Sequence, residues 1–132
     1  MTGSPRLSLA SIVIDCRDAH ALAGFYGRLL GWEVRSSEAD WVHLRSPDGA
    51  LGLSFQSEPG YEPPHWPEVR GAQQKMLHLD IRVDDLDSAA RLAVSLGATE
   101  AGDREHDDVR VLLDPAGHPF CLFLTAVADQ QV

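Results

Sequence analysis

Along this chain the hydrophobic positions change period in the same order twice. Ile12, Ile14 and Cys16 alternate with Ser11, Val13 and Asp15, and later Leu77, Leu79, Ile81 and Val83 alternate with His78, Asp80 and Arg82. This is the two-residue period of a strand with one greasy face. Each run then gives way to a helical stripe. Leu22, Phe25, Tyr26, Leu29 and Leu30 fall at i, i+3, i+4, i+7 and i+8, with Asp18 placed to cap the helix and Gly31 to end it. In the second copy Asp85 precedes Leu86, Ala89, Ala90 and Ala93, and Gly97 follows. Its small alanines predict a closer approach to a sheet than the aromatic first helix can make.

Three short strands are predicted after each helix. They lie near 33–36, 41–45 and 51–56 in the first half, and near 99–105, 109–113 and 120–125 in the second. Pro47-Asp48-Gly49 and Pro115-Ala116-Gly117 suit the tight turns between the last two of each set. Asp18 and Asp85 are 67 positions apart, Gly31 and Gly97 are 66 apart, and Pro47 and Pro115 are 68 apart, so only single-residue gaps separate the copies. A repeat of about sixty residues is too long for a solenoid unit and fits two halves closing around one site.

The expected organisation is one domain over 1–132, with a first module at about 7–56, a linker at 57–75, a second module at about 76–125 and a frayed tail at 126–132. The linker holds Pro59, Pro63, Pro64 and Pro67 with Tyr61, His65 and Trp66. It reads either as a semi-rigid span between modules or as a shelter for a cleft mouth or subunit contact. A formal charge of -9 repels phosphate backbones, so nucleic acid is not an expected partner. With no leader pattern and no membrane-length apolar run, the expected location is the cytoplasm, away from membranes. Cys16 and Cys121 are too few for a disulfide framework, and their strand parities put them on opposite faces.

These paired βαβββ modules carry Ile14-x-x-x-Asp18, Phe25-Tyr26, Leu30-Gly31 and Pro47-Asp48-Gly49, then Val83-x-Asp85, Leu96-Gly97 and Pro115-Ala116-Gly117. Over roughly residues 7–125 the chain resembles the vicinal oxygen chelate superfamily, also called the glyoxalase, bleomycin-resistance and extradiol-dioxygenase superfamily. Its Pro-rich loop followed by Gln73-Gln74 and His78-x-Asp80 is most similar to a glyoxalase-like subgroup found in actinobacteria. The resemblance implies an α+β fold: two tandem modules forming a cupped, mostly antiparallel eight-stranded sheet, with helices on the outer face and the site inside. It also implies a homodimer.

Strand parity then sends His78, Asp80 and Arg82 into the cup, with Ser11, Val13 and Asp15. Metalloenzymes of the superfamily draw ligands from the first and last strand of each module. Those positions fall on Ser11, Leu53, His78 and Cys121 here, the last-strand pair being counted six residues after each turn proline. Only His78 is the usual residue, Leu53 has no donor, and the expectation is no metal and no cofactor. His20, His65, His106 and His118 form no ligand spacing and read as surface residues. His78 reads equally as a hydrogen-bonded buried imidazole or as a ligand contact.

No Gly-x-Ser-x-Gly elbow or phosphate-cradling loop is present. The apolar setting of Cys121 argues against a reactive thiol. The predicted ligand-binding set is Ser11, Val13, Leu53, Phe55, His78, Asp80, Arg82, Pro119, Cys121 and Phe123, a greasy pocket with a few orienting polar groups. The expected function is binding of a small, largely apolar molecule, by sequestration or by conversion without metal. The alternative is a lyase or isomerase related to glyoxalase, with or without a metal, with Asp80 or His78 as general base, and a partner-binding or structural module is a third reading.

Overall fold

The computed structural model describes residues 5–102 and 108–124. His106, residues 103–105 of the predicted strand, Thr125 and the tail 126–132 lie outside the described residues. Within them the order is β1 (Ile12–Cys16), α1 (Ala19–Leu30), β2 (Glu33–Glu38), β3 (Trp41–Arg45), β4 (Gly52–Ser57), then β5 (Leu79–Val83), α2 (Leu86–Leu96), β6 (Thr99–Glu100), β7 (Val109–Leu113) and β8 (Pro119–Leu124). Both halves are βαβββ modules. The eight strands form two four-stranded sheets, ordered β1-β4-β3-β2 and β5-β8-β7-β6, with no hydrogen-bonded ladder joining one to the other among the described residues. In each sheet the first strand lies parallel to the last, and the other pairs are antiparallel.

Both helices begin where a carboxylate accepts orphan backbone donors. Asp18 takes the amides of His20 and Ala21, and Asp85 takes that of Ser88. The stripes predicted from sequence are the buried faces. Leu22, Phe25 and Tyr26 of α1 and Ala90 and Ala93 of α2 are almost inaccessible. They cover Ile14 and Cys16 of β1, and Leu79 and Ile81 of β5 pack against the same cluster.

The core is continuous between modules. Tyr26 stacks on Phe55 of β4 at 5.6 Å between ring centroids and meets Phe120 of β8 edge-on at 6.2 Å. Its hydroxyl donates to the buried Asp114 carboxylate at 2.7 Å. Asp114 also accepts the amides of Ala116 and His118. Burial nevertheless raises its pKa, because those bonds offset only part of the lost hydration.

One expectation fails at the register of β4. Ile12 pairs with Leu53 and Ile14 with Phe55, so Leu53 and Phe55 share the helix-covered face and do not enter the cup. Their exposures are 5% and 0%. The cause is the first hairpin. Arg45 pairs with Gly52 across a loop of six residues, 46–51, whereas Leu113 pairs with Pro119 across five, 114–118. Counting from the turn proline is therefore one residue out in the first module, and a one-residue slip exchanges the faces of a strand. The inward neighbour of Val13 is Ser54, and the counterpart of Cys121 is Ser54, 67 positions earlier.

Candidate functional site

The inner faces of the two sheets carry different side chains. On the first, β1, β3 and β4 bring Ser11, His43 and Ser54 together. Ser54 Oγ lies 2.7 Å from Ser11 Oγ and 2.7 Å from His43 Nδ1. Ser54 is fully buried, and Ser11 and His43 are half-buried. The imidazole fits only because residue 52 is glycine, since a Cβ there would stand 2.7 Å from His43 Cε1 and 2.6 Å from the Ala10 carbonyl oxygen. Desolvation, followed by the charges of Arg45 and Arg35, lowers the pKa of His43 from its ordinary value.

On the second sheet the partners are ionisable. His78 Nε2 lies 3.1 Å from Asp80 Oδ1. The pairing of Asp80 with Cys121 sets the thiol beside them, so that the donor atoms of all three lie within 4.8 Å of one another. Burial, and then the Asp80 carboxylate, push the Cys121 thiol up to about 11, so it holds its proton at neutral pH. Arg82 and Phe123 pair one step further along the same face.

Between the sheets opens a cleft of about 430 Å³. Val13 and Asp15 of β1 form one wall, and Leu77, His78, His118 and Pro119 form the other. The linker adds Glu58, Tyr61 and Glu62, and Met76 follows directly after it. Tyr61 is anchored by donating its hydroxyl to the Ala116 carbonyl at 2.6 Å. His118 Nε2 ties the second hairpin to the first module by donating to the Asp15 carbonyl at 2.6 Å. Gly117 permits the linker to lie against this hairpin: at φ +91° it adopts a backbone that favours glycine, and a Cβ would meet Pro63 Cβ at 2.9 Å. Desolvation, then Asp114, raises the Tyr61 pKa, so the phenol stays neutral.

Compared with known proteins, the chain matches the family model of the glyoxalase-like domain over residues 11–123. The chain belongs to the glyoxalase-like domain family. Solved structures of the vicinal oxygen chelate superfamily share its fold. A glyoxalase/bleomycin resistance protein/dioxygenase family enzyme from Burkholderia phytofirmans PsJN is 20% identical with a TM-score of 0.64, covering 87% of this chain and 96% of that one. The fosfomycin resistance protein FosX from Mesorhizobium loti is 13% identical with a TM-score of 0.64, over 95% of this chain and 98% of that one. TnmS3, an antibiotic binding protein from Streptomyces sp. CB03234, is 17% identical with a TM-score of 0.59, over 94% and 98%. No curated protein matches.

Among the described residues, the positions that the superfamily resemblance points to do not bring four strong donors together. With the register corrected, the first module offers Ser11 and Ser54, neutral hydroxyls already bonded to each other. His78, Asp80 and Cys121 are three donors from the second module alone, with their donor atoms within 4.8 Å of one another. Of the predicted ligand-binding residues, Val13, His78 and Pro119 line the cleft. Ser11, Asp80, Arg82, Cys121 and Phe123 lie outside its lining, and Leu53 and Phe55 are in the core. His43, Ser54, Glu58, Glu62 and His118 are polar residues of the inner faces and cleft to which the sequence assigned no site role, whereas Tyr61 lies in the linker expected as a shelter for a cleft mouth. For His43 the signal was present, since Trp41, His43 and Arg45 alternate with Val42 and Leu44. Among the described residues no helix is long and apolar enough to cross a membrane.

Proposed function

We propose that this glyoxalase-like protein binds a small, largely apolar molecule in the cleft between its modules, sequestering it or converting it without a metal. The observation that carries this reading is the lining. Met76 is 87% exposed, Leu77 51% and Val13 42%, yet all three face one cavity of about 430 Å³. Exposed apolar groups gathered in a concavity of this size are what a small-molecule site needs. Asp15, Glu58 and Glu62 outnumber Lys75 around the same cavity and disfavour an anionic ligand. FosX, a fosfomycin resistance protein, and TnmS3, an antibiotic binding protein, share the fold, which supports a small-molecule ligand.

The His78–Asp80 pair favours a second reading, a lyase or isomerase acting by proton transfer. In it the His78 imidazole, on the cleft wall, takes a proton from a carbon beside a carbonyl, and Asp80 orients the ring and offsets the charge it gains. Native mass spectrometry of gently purified protein, followed by calorimetry with the recovered molecule, tests the first reading. Met76→Glu should abolish binding and His78→Ala weaken it by less than about tenfold, the value of one neutral hydrogen bond. Retained affinity in Met76→Glu would reject the site. Turnover by the unmutated protein, lost in His78→Ala while binding persists, would establish the second reading.

A further inference from the structure

The inner face of the first sheet holds a directed hydrogen-bond chain that is separate from the cleft. Ser54 has one hydroxyl proton and two close partners, His43 Nδ1 and Ser11 Oγ, each at 2.7 Å. When Nδ1 is bare, Ser54 donates to it and accepts from Ser11, so the Ser11 proton points inward and its lone pairs face outward. The competing partner of Ser11, the Ile12 carbonyl, is more distant at 3.3 Å. We propose that Ser11 is a nucleophile that accepts acyl groups from small activated carboxylic esters, with Ser54 and His43 carrying its proton away.

In the acylation step Ser11 Oγ bonds to the ester carbonyl carbon and the bond from that carbon to the leaving alkoxide or phenoxide breaks. The Ser11 proton passes to Ser54 Oγ as the Ser54 proton passes to His43 Nδ1. The departing oxygen takes a proton from solvent, and the imidazolium returns one to solvent, so the proton count balances. The products are an O-acyl serine and a free alcohol or phenol, and no further reactant is needed.

The surroundings suit this chemistry. Desolvation and the two arginines favour neutral imidazole, the form that can accept a proton. The Arg45 guanidinium is held on the carbonyls of Ala10, at 3.0 Å, and Gly49, at 3.2 Å. It places a fixed positive charge next to Ser11 for the developing oxyanion. Gly52 keeps open the space in which the imidazole sits.

Incubating the full chain with p-nitrophenyl acetate and mapping acetylated peptides tests the proposal independently of the cleft. An acetyl group is expected on Ser11, absent in Ser11→Ala. His43→Gln and Ser54→Ala should each slow its appearance by about 10²-fold or more, the range for loss of a general base. Ser54→Thr, which keeps the hydroxyl, should retain most of the rate, and melting temperatures report whether each variant folds. In the unmutated protein the rate should fall as pH drops through the His43 pKa, below 6.5. The charged groups facing His43 are Arg45 on its own strand and Arg35 from β2, with Glu33 and Glu38 of β2 on the same face. Acetylation confined to lysines or the N-terminus would overturn the proposal. So would labelling of Ser11 at an unchanged rate in folded His43→Gln, or a Ser11 rate indifferent to pH across that range.

Discussion

The inner faces of the two modules occupy equivalent positions and have diverged, whereas their outer faces have not. Ser11 corresponds to His78, Val13 to Asp80, Ser54 to Cys121 and, through β3 and β7, His43 to Val111. On the helix side Ile14 corresponds to Ile81, Leu53 to Phe120 and Phe55 to Leu122, all apolar and all in the core or packed against it. Packing against a helix tolerates exchange among hydrophobic shapes but not the arrival of polar atoms. The face turned away from the helices carries no such demand. One copy there has kept neutral hydroxyls around an imidazole, and the other has gathered an imidazole, a carboxylate and a thiol.

The equivalence of the cores is tested first, with the largest effects. Phe55→Ala and Phe120→Ala remove rings that are fully buried and that both touch Tyr26. Each should cost about 3–5 kcal/mol. Urea denaturation should show one transition in both variants, and a second transition in either would break the comparison by showing modules that unfold separately.

Next in size is a pair that sharpens the assignment of faces. Leu53→Asp should cost several kcal/mol, because it buries a carboxylate without a partner, while Val13→Asp on the inner face should stay within about 0.5 kcal/mol. Comparable losses would return Leu53 to the inner face. A third test compares the polar groups of the inner faces. Dialysis against a chelator should leave the melting temperature unchanged. A drop of several degrees, abolished by Cys121→Ala but not by Ser11→Ala, would instead place an ion on the second module.

The smallest effect is one of pH. The folded-state pKa of His43 lies below 6.5, so folding favours the neutral ring. Its contribution is complete above that pH and is lost as pH falls through the folded pKa. Between pH 7 and 5 the melting temperature of His43→Gln should therefore fall less than that of the unmutated protein. An equal fall would mean that His43 titrates alike in both states.

The modules were legible in the chain because their signals are local: an alternating strand, an aspartate cap, a striped helix and a glycine stop. Strand parity also placed Asp80, Arg82 and Cys121 on the inner face, and the register pairs Asp80 with Cys121 and Arg82 with Phe123. It failed for Leu53 and Phe55 because the reference was a turn proline, and the first hairpin loop is one residue longer than the second. Measured by the shift of 67 that relates Asp18 to Asp85, Cys121 would have pointed to Ser54. The cleft was harder to foresee. Its linker wall depends on Tyr61 reaching Ala116 and on Pro63 lying against Gly117, contacts between residues more than fifty positions apart that no local pattern encodes.

The hydrogen bond from Tyr26 to Asp114 has a consequence for ancestry. The two halves read as copies of one gene segment, yet a phenol from the first completes the hydrogen bonding of a carboxylate sealed inside the second. A half expressed alone would leave that carboxylate short of one donor and would strip Phe120 of a neighbouring ring. The split chain should therefore recover native amide-exchange protection only when both fragments are mixed. The positions equivalent to Tyr26 and Asp114 in the other half are Ala93 and Ser46, so this bond exists in one direction only and is not part of what the two halves share.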